Sequence, residues 1–114
     1  MDIKEFERDV ERALGKIDQK FRDMMDNITI EVDPERIIYD ESHHLILGHY
    51  IGVPLPKRGP AYQNVLPDKI IIYKQAFNNY PPEELPGLIA NVLQHEIGHY
   101  FGLSEEELAK YKRT

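Results

Sequence analysis

The sequence predicts an α+β fold, with an N-terminal helix, a small sheet of three or four strands and two C-terminal helices. Apolar residues recur at steps of three or four near both ends of the chain, whereas the middle contains short β-branched runs bounded by Gly, Pro and Asp. At 114 residues the chain is near the common domain size, so we expect one domain over residues 1–114. Its expected parts are an N-terminal helix at 1–26, strands and loops at 27–74, and two helices at 83–114.

Residues 2–25 are predicted to form one amphipathic helix. Asp2 is a suitable N-cap and Glu5 follows three residues later, as in a capping box. The opposite face carries charges of both signs and is not rich in Lys or Arg, which favours packing against the core over a membrane-surface or partner helix. The apolar face consists of Ile3, Phe6, Val10, Leu14, Ile17, Phe21 and Met24.

Three short apolar runs predict strands, at residues 27–32, 45–53 and 68–74. Gly48 or Gly52 is expected to weaken or bulge the second strand. The Pro- and Gly-rich loop at 54–67 is long for a compact domain, and such loops commonly bind ligands. In the polar segment before the second strand, His43 and His44 lack the spacing of metal ligands, which favours a solvated loop over a second metal site.

The most specific signal is the pattern H-E-x-x-H-x-x-G-x-x-E at residues 95–105. On a helix, His95 and His99 lie about 40° apart around the axis and roughly 6 Å apart along it. Both imidazoles therefore approach one point, where a tetrahedral metal can take a nitrogen from each. Glu96 lies one step round the helix, which suits a base acting on a metal-bound water. The competing interpretation is a surface helix whose histidines are merely solvated.

The residues around this pattern predict its secondary structure. Gly102 is typical of the left-handed residue that ends a helix. Ser104 and Glu107 form a capping box for a second, short helix, and Glu105 would open that helix close enough to donate a carboxylate oxygen to the metal. Prolines before the pattern predict that its helix begins near residue 84 or 86. The apolar residues at helical spacing are Leu85, Ile89, Val92, Leu93, Ile97 and Phe101.

Composition limits the classes of partner and metal. The chain has no Cys, so zinc would be held by nitrogen and oxygen ligands, a set that also accepts other divalent metals. The net charge is −6 and basic residues are balanced by nearby acids, which argues against nucleic-acid binding. We find no signal-like N-terminal run and no stretch of roughly 20 apolar residues, so we expect a cytoplasmic protein outside the membrane.

The chain resembles the minimal zincins, a family of small zincin-like metallopeptidases, over roughly residues 27–112. The stretches that carry the resemblance are YIGVPL at 50–55 with Arg58-Gly59 after it, LPDKIIIY at 66–73, and the pattern at 95–105. The resemblance implies a zincin-like fold and one zinc ion bound by His95, His99 and Glu105. It also implies that Glu96 is the catalytic base for hydrolysis of peptide bonds in a peptide or protein substrate.

Some departures from related peptidases keep alternatives open. The metzincins have a similar pattern, but they usually have His or Asp where Glu105 stands, and they place a Met after the pattern that this sequence lacks. Only nine residues follow Glu105, so no second subdomain is expected below the cleft. A non-catalytic metal-binding or interaction module is therefore the main alternative, and a structural domain with a coincidental motif is the third. Glu96 favours a hydrolase, because a structural metal site needs no base.

Several supporting roles also remain open. A second electrophile could be Tyr100, Tyr73, His49 or Arg58. Asn91 or Gln94 could orient a ligand histidine, although ordinary surface roles are favoured for both. If the strand that ends at Tyr73 forms a sheet edge above the metal, an extended peptide could pair with it.

Overall fold

The computed structural model describes residues 2–60, 62 and 67–111. Its helices and strands are α1 (Ile3–Gly15), α2 (Gln19–Met24), β1 (Ile28–Asp33), β2 (Gly48–Ile51), β3 (Asp68–Tyr73), α3 (Leu85–Tyr100) and α4 (Glu105–Tyr111). Helices and a three-stranded mixed sheet confirm the predicted α+β class. Parts of two predicted segments, at 61 and 63–66 in the long loop and at 112–114, lie outside the described residues. Within the described ranges, none of the helices is long and apolar enough to cross a bilayer.

The N-terminal segment forms two helices where the sequence predicts one. Asp2 caps α1 as predicted, since its carboxylate accepts a hydrogen bond from the Lys4 N–H at 3.0 Å. The first helix ends at Gly15, and Asp18 then caps α2 by accepting from the Lys20 N–H at 3.1 Å. Glycine is costly inside a helix and aspartate is a strong N-cap, so the chain breaks here despite its continuous apolar pattern.

The break decides which apolar residues reach the core. On α1, Phe6 and Val10 are buried, whereas Met24 on α2 is 55% exposed. The α1 helix packs on α3, and the two helices cover one face of the sheet. The buried core includes Phe6, Val10, Ile70, Ile72, Phe77, Ile89 and Leu93.

The sheet has the strand order β1-β3-β2, with β1 parallel and β2 antiparallel to β3. The predicted strands at 27–32 and 68–74 correspond to β1 and β3, and the strand predicted at 45–53 is shortened to Gly48–Ile51. Because β3 is central, the expectation that it forms an edge above the metal is wrong. The outer strand beside α3 is β2.

Close approach of β2 to α3 depends on Gly48. A Cβ at this position would lie 2.6 Å from Val92 Cγ1, so no larger residue fits without displacement. The strand therefore runs close along α3, which carries the H-E-x-x-H residues. That helix begins at Leu85 after a 3-10 turn at Pro82–Glu84, in agreement with the predicted start.

The turn between α3 and α4 folds as predicted. Gly102 has a left-handed φ of +83°. Its N–H donates to the His99 carbonyl at 2.9 Å, and the Leu103 N–H donates to the Gly98 carbonyl at 2.9 Å, which is the Schellman pattern of helix termination. Ser104 and Glu107 then form the reciprocal capping box that starts α4, with both hydrogen bonds at 3.2 Å.

Substitution of Gly98 is expected to disturb the packing of α4 on α3. A Cβ at Gly98 would overlap Leu108 Cδ2, whereas a Cβ at Gly87, on the same helix, would meet no atom within 4 Å. We expect Gly98→Ala to lower the free energy of unfolding by about 1–3 kcal/mol through overpacking. Gly87→Ala should be neutral or stabilise by up to about 1 kcal/mol. Urea unfolding measures both, and equal effects of the two variants would contradict this packing.

Candidate metal centre

Three side-chain atoms from two helices converge at the end of α3. The Nε2 atoms of His95 and His99 lie 3.2 Å apart, and Glu105 Oε1 lies 3.0 Å from the first and 2.9 Å from the second. Ligands bound tetrahedrally to zinc at about 2.05 Å are about 3.3 Å from each other. The triangle is therefore close to the size that one zinc ion requires, and the Gly102 turn is what returns Glu105 to the two histidines.

Hydrogen bonding determines which nitrogen of His99 is available. Its Nδ1 lies 3.2 Å from the Leu103 carbonyl, and because a carbonyl only accepts, Nδ1 must be the donor. When the ring carries only this proton, the lone pair on Nε2 faces the Glu105 carboxylate. Two acceptors at this distance require a proton or a cation between them, which suits a metal site. The Leu103 contact was not anticipated from the sequence, although the predicted turn at Gly102 was the signal that could have indicated it.

Glu96 lies beside these residues in a drier environment. It is 8% exposed, and its carboxylate and the two imidazoles offer ligand atoms within 4.8 Å of one another. Burial raises the pKa of Glu96 to about 7, and the nearby Glu105 charge acts in the same direction. The His99 charge and the Tyr50 backbone N–H oppose this rise. A carboxyl with a pKa near neutrality can both take up and release a proton under physiological conditions.

Glu105 has the opposite electrostatic environment. Partial burial raises its pKa, but the charges and hydrogen bonds of His95 and His99 outweigh that effect, so its pKa lies below the ordinary value. Its side chain is 71% exposed, so solvent also favours the anion. The two carboxylates therefore differ in how they titrate, since the pKa of Glu105 is lowered and that of Glu96 is raised to about 7.

A groove of about 960 Å³ runs between β2 and α3 past these residues. The Tyr73 N–H donates to the Leu47 carbonyl at 3.0 Å, so the alternation of an antiparallel pair turns the backbone groups of Gly48 and Tyr50 away from β3. The proximity of the Tyr50 N–H to Glu96 agrees with this orientation. The edge of β2 therefore directs the backbone groups of Gly48 and the carbonyl of Tyr50 toward the groove, while the Tyr50 N–H lies near Glu96.

A buried ion pair joins the loop after β2 to the start of β3. Arg58 and Asp68 lie 2.8 Å apart, with side chains that are 8% and 6% exposed. The Tyr50 hydroxyl donates to the same Asp68 oxygen at 2.5 Å, and Arg58 also donates to the backbone carbonyls of Val53 and Asp26, both at 3.0 Å. Burial and this hydrogen bond raise the pKa of Tyr50 above its ordinary range. All three stretches that carry the family resemblance meet here or at the metal centre.

The four residues considered as a second electrophile lie in different surroundings. Tyr73 and Tyr100 are buried, and the Tyr100 hydroxyl bonds to the backbone of Asp26. Arg58 is committed to its ion pair. Only His49, of the four candidate electrophiles, is exposed and lines the groove.

Asn91 also lines the groove, whereas Gln94 is exposed outside it. His43 and His44 are exposed in the turn before β2 and join no group with metal-ligand spacing in the described part of the chain.

A sequence model of the family described as zincin-like metallopeptidases matches residues 25–114. The chain belongs to this family. The solved structure of a conserved hypothetical protein from Thermus thermophilus is similar to this zincin-like chain, with a TM-score of 0.63 and 17% identity. The similarity covers 99% of this chain and 100% of the other, and at this identity it supports the zincin-like fold alone. No curated protein matches the chain significantly.

The zincin-like fold should depend strongly on the buried ion pair. Asp68→Asn leaves Arg58 charged and uncompensated in a site that is largely dry, so we expect a loss of about 3–5 kcal/mol in the free energy of unfolding. The matched control is Lys69→Met, which removes an exposed ion pair with Glu31 and should cost less than about 1 kcal/mol. Guanidinium unfolding measures both, and a similar small loss in each would show that the buried pair does not stabilise the fold.

The raised pKa of Glu96 should make the metal-free protein less stable as pH rises. The folded-state pKa of about 7 exceeds the ordinary 4.5, so this group's stabilising contribution is complete below pH 4.5 and is lost as pH rises through 7. At 1.36 kcal/mol per pKa unit, the loss relative to Glu96→Gln is about 3 kcal/mol. Unfolding of both proteins in EDTA from pH 5 to 8 measures it. A stability difference independent of pH would be inconsistent with a buried carboxyl of raised pKa.

Proposed function

We propose that the protein is a zinc-dependent metallopeptidase. In this proposal His95, His99 and Glu105 bind one zinc ion, and Glu96 is the general base. The observation that carries the proposal is the triangle of acceptor atoms, 2.9–3.2 Å apart, beside a buried carboxyl whose pKa is raised to about 7. Family membership supports peptides or proteins as the class of substrate.

The donor atoms suit zinc well. Two imidazole nitrogens and one carboxylate oxygen are a common set for catalytic zinc, which keeps a fourth position for water or substrate. Zinc bound there would lower the pKa of its water toward about 7 and polarise the scissile carbonyl. The Leu103 carbonyl fixes the tautomer of His99 that presents Nε2 to the ion.

Glu96 would carry the proton through the reaction. Its carboxylate accepts a proton from the attacking water and then delivers it to the leaving amine. Its position supports this role, because the buried carboxyl lies beside the two histidines that would hold the metal and its water. The Tyr50 N–H lies close to the carboxylate at the edge of the groove.

The edge of β2 supports an extended peptide as substrate. The outward backbone groups of Gly48 and the carbonyl of Tyr50 can bond to a peptide that adds as a further strand. Such a peptide would lie along the groove beside Glu96, with its scissile bond near the two histidines. The strand that would pair with the peptide is β2. The strand considered from the sequence, β3, is central in the sheet and has no free edge.

A non-catalytic metal-binding module is the second candidate. The position of Glu105 at the start of α4, 3.0 and 2.9 Å from the two histidines of α3, supports it, since a bound ion would join the two helices. Zinc would then fasten α4 to the end of α3. The buried Glu96 distinguishes the two candidates, because a purely structural site gains nothing from a buried base next to its ligands.

Two substitutions separate metal binding from catalysis. His95→Ala should abolish stoichiometric zinc, because it removes one of three ligands. Glu96→Gln should retain zinc and lower kcat by about 10²- to 10⁴-fold, the usual contribution of a general base. Glu106→Gln, an exposed change on α4, is the control and should do neither. Metal content by mass spectrometry and hydrolysis of an internally quenched peptide library are the measurements.

The outcomes of these measurements distinguish the hydrolase from the non-catalytic module. Equal hydrolysis by wild type and Glu96→Gln would exclude Glu96 as the base. Zinc bound by the wild type without any hydrolysis would favour the non-catalytic module. Absence of zinc from the wild type after reconstitution would overturn both candidates.

A further inference from the structure

The charged side chains that line the groove differ in whether they are free to bind a substrate. Among the described lining residues, the acids are Asp40, Glu96 and Glu105, and Lys57 is the one Lys or Arg. Glu96 and Glu105 are committed to the metal centre in the proposed function. A zinc ion there would offset their charge, which leaves Lys57 as the cation that can attract a carboxylate of a bound peptide outside the metal centre.

The backbone of Lys57 is fixed from both sides. Its N–H donates to the Pro54 carbonyl at 2.9 Å. Pro56, just before it, packs on the turn after α3, since a Cβ at Gly102 would lie 2.8 Å from Pro56 Cγ. Arg58, just after it, belongs to the buried ion pair with Asp68. Lys57 is thereby held at the end of the groove beside the ligand-bearing turn.

The side chain of Lys57 is free to bind. It is exposed, and its ammonium makes no hydrogen bond or ion pair with any residue in the described ranges. By contrast, Arg58 is engaged by three oxygen acceptors and Lys69 is paired with Glu31. A fixed backbone with an unpaired ammonium is what a recognition site for an anion requires.

We propose that Lys57 binds a carboxylate of the substrate and gives the peptidase a preference for anionic peptides. The carboxylate belongs either to an Asp or Glu side chain or to the C-terminus of a short peptide. This inference rests on the proposed function, because it assumes that the peptide lies in the same groove. It adds the chemical class of substrate that the groove of this chain selects.

The test compares four versions of one internally quenched peptide chosen from the library. They carry Glu or Gln at one position, each with a free or an amidated C-terminus. The zinc-loaded wild type should cleave the preferred anionic version with a kcat/KM about two- to fivefold above the doubly neutral one, the range of an exposed ion pair. In Lys57→Met the ratio should fall to about one. Lys69→Met, with the same loss of charge outside the groove, should keep the wild-type ratio.

The comparison also identifies the source of the carboxylate. Loss of preference on the Glu-to-Gln change indicates a side chain, and loss on amidation indicates the C-terminus. High salt should reduce the wild-type ratio, because the pair is screened. A ratio of about one in the wild type, or an unchanged ratio in Lys57→Met, would overturn the proposal.

A binding measurement separates this proposal from the hydrolase proposal. Fluorescein-labelled versions of the four peptides are titrated into zinc-loaded Glu96→Gln, with and without Lys57→Met, and followed by anisotropy. A preference for anionic peptides that depends on Lys57, together with no hydrolysis by the wild type, would support carboxylate recognition and contradict the hydrolase. Binding of all four peptides with equal affinity would contradict carboxylate recognition even if hydrolysis is confirmed.

Discussion

The buried pair of Arg58 and Asp68 joins the parts of the molecule that form the groove. Removal of two charges from water is costly, and the cost is offset here only because the remaining hydrogen-bonding groups are satisfied. The Tyr50 hydroxyl donates a hydrogen bond to Asp68, so the pair links β2, β3 and the loop after β2. Arg58 also lies over the ring of Tyr100 on α3, 5.2 Å from its centroid, so the pair positions the edge strand beside that helix. The nearness of the Tyr50 N–H to Glu96 and the place of Lys57, next to Arg58, agree with this arrangement.

The proposed metal centre depends on a different kind of constraint, the geometry of one turn. Gly102 adopts a left-handed conformation, and the carbonyl of Leu103 then accepts from His99 Nδ1. The same turn carries Glu105 to within 3.0 Å of both imidazoles. A single helix end thus orients one histidine and delivers the third acceptor, so little long-range structure is needed to assemble the triangle of ligand atoms.

Two carboxylates only a few ångströms from the same histidines acquire opposite properties from their surroundings. Burial dominates at Glu96 and raises its pKa, whereas the imidazoles dominate at exposed Glu105 and lower its pKa. This division is the electrostatic basis for the proposed roles of Glu105 as a metal ligand and Glu96 as a base. It arises because Glu96 lies on the side of α3 that β2 covers, while Glu105 begins a helix at the surface.

The sequence by itself determined the features that rest on local hydrogen bonds and spacing. These include the caps of α1 and α4, the helix end at Gly102 and the convergence of His95 with His99, since each depends on residues at most five apart. The tertiary structure alone decided that β3 is central, that Asp68 pairs with Arg58 and that Glu96 is buried, because these depend on contacts between distant segments. The break between α1 and α2 depends on both the sequence and the tertiary structure. Gly15 and Asp18 favour a break, but the continuous apolar pattern of the segment predicts a single helix. The number of charged residues follows from the composition. The place of Lys57 in the lining of the groove depends on the tertiary structure, where Pro56 packs on the turn at Gly102.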